Sequence, residues 1–162
     1  MLTEKMEKAL NKQINEELYS SYLYLAMSAW FESQNLPGCA AWMAAQAREE
    51  NGHAMKLFKF INERRGRVIL EGIKEPPKEW KSPLAAFEAS LNHEQHITGR
   101  IDELMNLATA EKDHATAFML QWFVNEQVEE EAHVDGIVQK LKMADKAPGA
   151  MLMMDHALGE RK

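Results

Sequence analysis

The chain has 162 residues, 46% of them hydrophobic, with a mean hydropathy of -0.44, which suits one soluble domain over 1–162 with a core of its own. Its single cysteine, Cys39, excludes an internal disulfide and any four-cysteine metal site. A formal net charge of -6 argues against a nucleic-acid surface, no run is long and apolar enough for a membrane span, and the start Met1-Leu2-Thr3-Glu4-Lys5-Met6 lacks the unbroken apolar stretch of a secretion signal, so a cytoplasmic protein is expected.

Thr3 is a suitable N-cap, and helical periodicity runs from about Glu4 to Ser33. Leu10, Ile14, Glu17, Ser21, Tyr24 and Phe31 share one face, so a carboxylate and a phenol stand where apolar residues belong. Asn35-Leu36-Pro37-Gly38 suits a tight reversal. A second helix from about Cys39 to Arg65 carries Met43, Ala47, Glu50, His53, Ala54, Leu57 and Phe60 or Ile61 on its inner stripe, and Gly66 is expected as the left-handed residue that ends it. Residues three apart lie side by side on a helix, so Glu50 and His53 can present an oxygen and a nitrogen to one ion. A lone Glu-x-x-His is common by chance, so its meaning depends on partners from the rest of the chain. Gly52 disfavours the helix around it, and close backbone packing is the expected reason for its presence.

From Arg67 to Ser82 the helical pattern is lost: Val68, Ile69 and Leu70 are extended in character, and Pro76-Pro77 forbid a helix. This connection is too long for a simple hairpin between neighbouring helices and long enough to run back along a helix pair. Ser82 and Pro83 fit the N-cap and first position of a third helix reaching about Glu111, with Leu84, Phe87, Leu91, Glu94, Ile101 and Leu104 or Met105 inward. After Lys112-Asp113 a fourth helix places Phe123, Gln127, Glu130, Val134, Ile137 and Leu141 on one face. Pro148-Gly149 ends it, and Ala150 to Leu158 forms a short apolar fifth segment.

Four long helices with one long connection describe an all-α bundle: two helix hairpins joined by a crossover between helices 2 and 3. Glu17, Glu50, Glu94 and Glu130 each fall near mid-helix, so antiparallel packing brings them to one level. Burying an unpaired ion costs several kcal/mol, against a net domain stability of about 5 to 15 kcal/mol. The carboxylates therefore need protons, basic partners or a metal. The inner stripes contain no Lys or Arg, which makes metal the economical expectation, with protons and water in its absence.

In combination, Asn15-Glu16-Glu17-Leu18-Tyr19-Ser20-Ser21-Tyr22-Leu23-Tyr24-Leu25, Glu49-Glu50 with His53, His93-Glu94, and the run from Trp122 to Glu131 resemble the bacterial non-haem ferritins over essentially the whole chain. The resemblance implies a ferritin-like four-helix bundle with a short fifth C-terminal helix, built around a di-iron carboxylate centre. It implies Glu17, Glu50 and His53 as ligands of one iron, and Glu50, Glu94 and Glu130 as ligands of the second. Glu50 would bridge, with Gln127 as hydrogen-bonding support. It further implies a third iron site from Glu49, Glu126, Glu129 and Glu130, and Tyr24 as a redox or hydrogen-bonding partner of the centre. The purely structural alternatives are an acidic solvated face for Glu49, Glu126 and Glu129, and a packing role for Tyr24.

The function so implied is iron storage and detoxification. A ferroxidase would oxidise Fe(II) to Fe(III) with O2 or H2O2 and store hydrated ferric oxide inside a homo-oligomeric shell of 24 subunits, with the fifth segment at the four-fold axes. A non-storage di-iron oxidase or peroxidase of the same bundle is the alternative, and a structural bundle without metal is a more distant one. Bacterioferritins, similar in fold, have a second Glu-x-x-His where this chain has Gln127-x-x-Glu130, and a haem-ligating Met where it has Asn51, so no haem is expected. A rubrerythrin-like peroxidase needs a cysteine-rich iron site, which one Cys cannot build. Where animal ferritins carry an acidic pair in an entry channel, this chain has Ala117 and Leu120. His93, His96, His114, His133 and His156 are expected at the surface or at interfaces, and Cys39 as a small packed residue.

Overall fold

Local capping chemistry explains most helix boundaries in the computed structural model, which describes residues 1–147 and 149–161. In α1 (Glu4–Ser33) the Thr3 hydroxyl accepts the Met6 amide at 3.1 Å. Ser82 accepts the Ala85 amide at 3.0 Å to open α3 (Pro83–Ala110), and Asp113 accepts the Thr116 amide at 3.1 Å to open α4 (His114–Ala144). Helix α2 (Pro37–Glu63) has no such cap from Leu36. Its Cys39 amide donates to the Asp155 carboxylate, 2.8 Å away on α5 (Ala150–Gly159), so the last helix supplies the missing cap.

Three helices end alike. Asn35, Arg65 and Lys112 adopt left-handed φ values of 58°, 60° and 56°. The next amide then returns to the helix: Leu36 to Phe31 at 3.1 Å, Gly66 to Ile61 at 2.9 Å and Asp113 to Ala108 at 2.8 Å. The left-handed residue after α2 is thus Arg65, not Gly66. Glycine at 66 answers a different need, because a Cβ there would lie 2.8 Å from Glu7 Oε2 and 3.0 Å from Ile61 Cγ2. Pro148, expected to end the fourth helix, lies outside the described residues; α4 ends at Ala144 and α5 begins after Gly149.

The connection between α2 and α3 is the expected crossover. The Asn11 side chain donates to the Arg67 carbonyl at 2.9 Å and accepts the Ile69 amide at 2.8 Å. Asn15 donates to the Gly72 carbonyl at 3.1 Å, and Trp80 meets Trp30 edge-on at 5.7 Å. The segment therefore follows α1 to its C-terminal end and delivers the start of α3 there, where Phe87 meets Phe31. No strand occurs among the described residues.

Two apolar clusters form the core. One gathers Phe31, Met43, Phe87 and Val138, and the other Leu10, Leu57, Ile101 and Phe123. Glu17, Glu50, Glu94 and Glu130, all buried, fall in sequence between the two sets of apolar residues on their own helices. The expected mid-helix register is therefore realised. On α3, Phe87, Glu94, Ile101 and Leu104 are buried as expected, while Ser90 and Ile97 are buried outside the expected stripe and Leu84 and Leu91 are only partly so. Ser90 is tolerated inside because its hydroxyl donates to the Ala86 carbonyl at 3.1 Å. Gly52 is exposed and a Cβ would meet no atom within 4 Å, so close packing does not explain it, contrary to expectation.

Helix α5 packs its Met151, Met154 and Leu158 onto the first apolar cluster. Its contact with α2 is backbone to backbone, since a Cβ on Gly38 would fall 1.7 Å from the Asp155 carbonyl oxygen. The outer side of α5 leaves Leu152 and Met153 68% and 75% exposed. Among the described residues, no helix is long and apolar enough to cross a membrane.

Candidate metal centre

The centre is built from one carboxylate on each long helix, with an imidazole one turn after Glu50. Glu17, Glu50, Glu94, Glu130 and His53 are all buried, and no Lys or Arg among the described residues is buried with them. Donor atoms of Glu17, Glu50 and His53 lie within 4.8 Å of one another. His53 Nδ1 is 2.9 Å from Glu50 Oε2 and 3.8 Å from Glu17 Oε2. Neither His53 Nδ1 nor Glu17 Oε2 has a hydrogen bond of acceptable geometry. A buried nitrogen and oxygen left unsatisfied side by side are costly unless a cation joins them. Hard oxygens with one imidazole suit Fe(II) and still hold Fe(III).

The remaining donors are held by hydrogen bonds. Gln13 Nε2 donates to Glu17 Oε1 at 2.9 Å, and Gln46 Nε2 donates to Glu130 Oε2 at 2.7 Å. The Tyr24 hydroxyl donates to Glu94 Oε1, while Gln127 Nε2 donates to Glu94 Oε2 at 3.2 Å and to its backbone carbonyl at 3.1 Å. Sequence reasoning missed Gln13 and Gln46. A signal was present, because each lies four residues before a buried Glu, on the same helical face.

Electrostatics follow from burial without basic partners. Burial, reinforced by the charges of Glu94 and Glu17, pushes Glu50 well above the usual carboxylate range, although His53 works against this. Glu94 is raised by burial against the opposing hydrogen bonds of Tyr24 and Gln127. Burial and the charge of Glu94 bring Glu130 to about 7. Burial disfavours the His53 cation, yet contact with Glu17 and Glu50 outweighs it and lifts the imidazole to about 11. Burial and the nearby Glu94 and Glu50 raise Tyr24, which is thereby kept as a neutral donor.

The two ligand sets implied by resemblance are not equally assembled. Glu17, Glu50 and His53 form one compact group. Glu94 turns toward Tyr24 and Gln127, while Glu130 joins His53 and Glu126 in a second group within the same 4.8 Å limit. Glu49, Glu126, Glu129 and Glu130 line one cavity of about 690 Å³ between α2, α4 and α5. Within it Glu129 is exposed and Glu49 is paired with Arg161 at 2.8 Å. Trp122 and Phe123 stand edge-on to the His53 ring at 5.3 and 6.0 Å and limit its movement.

Two peripheral expectations need correction. Leu120 is fully buried in the core, so it cannot line a channel in place of an acidic residue. His93 is largely covered: it bonds Ser20 Oγ at 2.6 Å, packs against Tyr19 and Tyr24, and is brought by burial and by His96 to about 4, so it is neutral. His96, His114, His133 and His156 are exposed as expected, and Cys39 is buried.

An antiparallel bundle with a full-length crossover, carrying a carboxylate and imidazole cluster across its middle, defines the ferritin-like class of helical proteins. The ferritin family model, described as a ferritin-like domain, matches residues 7–144. The bacterial non-heme ferritin of Bacteroides fragilis is 44% identical over 99% of this chain and 100% of its own length, and that of Campylobacter jejuni is 41% identical over 96% and 93%. A solved structure of the open-pore ferritin of Archaeoglobus fulgidus superposes with a TM-score of 0.99 at 51% identity, covering 100% of both chains. This chain belongs to the ferritin family.

Proposed function

We propose that this protein is an iron-storage ferroxidase. It binds Fe(II) as substrate between its four long helices, passes electrons from iron to O2 or H2O2, and stores the ferric product as hydrated oxide. The observation that carries this reading is the pair of unsatisfied buried donors, Glu17 Oε2 and His53 Nδ1, facing each other beside Glu50 in a ferritin-family bundle.

Glu17, Glu50 and His53 hold one iron, and Glu50, Glu94 and Glu130 hold the other, so Glu50 serves both. Gln13 and Gln46 hold Glu17 and Glu130 in place before iron arrives, while Tyr24 and Gln127 hold Glu94, which must turn from them to reach its iron. Glu49, Glu126 and Glu129, with Glu130, form a third iron position in the adjoining cavity. No haem is required. Leu152 and Met153 on α5 and the 84% exposed Phe118 on α4 are apolar surfaces of the kind that subunit contacts cover, which favours a homo-oligomer; membership of the ferritin family makes a hollow shell of 24 copies the proposed form.

Sizing the protein by chromatography, with iron counted per subunit, tests the storage reading. A shell-sized particle that accumulates far more than two irons per subunit in air is expected; a monomer or dimer that stops at two would overturn it. Anaerobic Fe(II) titration of the same particles adds a pH signature. Glu130, at about 7, carries a proton below that pH which Fe(II) must displace. His53, at about 11, is protonated at neutral pH and must lose its proton as well, so protons should be released on binding throughout, and affinity should fall further as Glu130 gains its proton below about pH 7.

A further inference from the structure

We infer that Arg161 is a tethered cation that occupies Glu49 and competes with iron for the third position. The inference rests on the assignment of that position to Glu49, Glu126, Glu129 and Glu130.

Those four carboxylates share one cavity but are not equivalent. Glu126 and Glu130 gather with His53 within 4.8 Å, whereas Glu49 belongs to no such group among the described residues. Glu49 Oε2 instead accepts a hydrogen bond from Arg161 Nη2 at 2.8 Å. The guanidinium is fixed by two further contacts. Nη1 donates to the Trp42 carbonyl at 3.3 Å, and Cζ lies 4.5 Å above the Trp42 ring. Arg161 is therefore held by α2 itself, two helical turns before Glu49. Its position is set from the other side by α5, because Gly159 packs on Gly38, where a Cβ would come within 3.1 Å of the Gly38 Cα.

A guanidinium keeps its charge at any pH the protein meets, so proton loss cannot clear it from Glu49. A divalent ion placed against Glu49 meets a fixed positive charge, and the ion pair must break before Glu49 can serve as a ligand. Arg161 thus makes the third position weaker than the two central ones and fills it after them. Because Arg161 follows α5 directly, the docking of α5 governs the availability of Glu49.

The test is calorimetric titration of Zn(II), which is redox-inert, into the metal-free full-length protein. The parent should show two tight binding events per subunit followed by a weaker one. Arg161→Ala should leave the tight events unchanged and tighten the weaker one by roughly three- to tenfold, the range of a partly exposed ion pair supported by stacking. Arg161→Lys, which keeps the charge but not the planar fork, should fall between the two. The gain should vanish in Arg161→Ala/Glu49→Gln, an outcome that loosening of the C-terminus alone would not produce. A weaker event unmoved by Arg161→Ala, or a gain that survives Glu49→Gln, overturns the inference while the di-iron assignment stands. Absence of the two tight events in the parent overturns that assignment and this inference with it.

Discussion

Glu50→Ala should abolish fast Fe(II) oxidation, lowering the single-turnover rate at two irons per subunit by about a hundredfold or more. Glu50 is the one carboxylate expected to touch both irons. It is 1% exposed and sits 2.9 Å from His53, so its loss removes a donor from both positions and leaves His53 Nδ1 facing Glu17 alone. The substitution also takes from the buried His53 one of the two carboxylates that keep it charged, so the metal-free bundle should lose some stability as well, and the two effects must be measured apart. Stopped-flow oxidation with circular dichroism on the same sample separates the two effects. A parental fast phase in Glu50→Ala would exclude Glu50 as the bridge.

The second large effect is expected at Gly38, far from the carboxylates. Ala is about 1 kcal/mol better than Gly inside a helix, so propensity alone predicts a slightly more stable α2. Sterics decide otherwise. The added Cβ would lie 1.7 Å from the Asp155 carbonyl oxygen and 2.6 Å from its carbon, and backbone atoms cannot swing away as a side-chain tip would. Gly38→Ala should therefore undock α5, removing the Asp155 cap on Cys39, worth about 1 kcal/mol, and exposing Leu158, worth about 1.5 to 3 kcal/mol. The four-helix bundle should persist. Hydrogen exchange should show residues 150–159 unprotected, and native mass spectrometry a weakened assembly. Full protection of α5 would show that α2 shifts to accommodate the methyl group.

Bundle, crossover and the level of the buried acids were legible in the sequence because each rests on a strong local rule. Proline and N-cap residues mark starts, and Glu17, Glu50, Glu94 and Glu130 interrupt otherwise apolar stripes at mid-helix. The burial of Ser90 on α3 was not legible, because Ser90 looks polar until its hydroxyl finds the Ala86 carbonyl. Glycine is the usual left-handed residue, so the sequence points to Gly66 rather than Arg65; Gly66 is instead demanded by Ile61 and by Glu7 from a distant segment. Leu120 was aligned to a channel by position, and only packing shows that its face points into the core. Arg161 lies far from Glu49 in the chain, so nothing local announces their pairing. The compact Glu17, Glu50 and His53 group was legible in part through Glu-x-x-His spacing, but its supporting Gln13 and Gln46 required attention to polar residues one turn earlier.

Anomalous diffraction at the iron edge, from crystals loaded with Fe(II) without oxygen, tests the central assignment most directly. Two peaks per subunit are predicted, one bounded by Glu17, Glu50 and His53 and the other across Glu50 toward Glu94 and Glu130. Iron found only in the cavity of Glu126 and Glu129 or on the surface, with none beside Glu50, would contradict it.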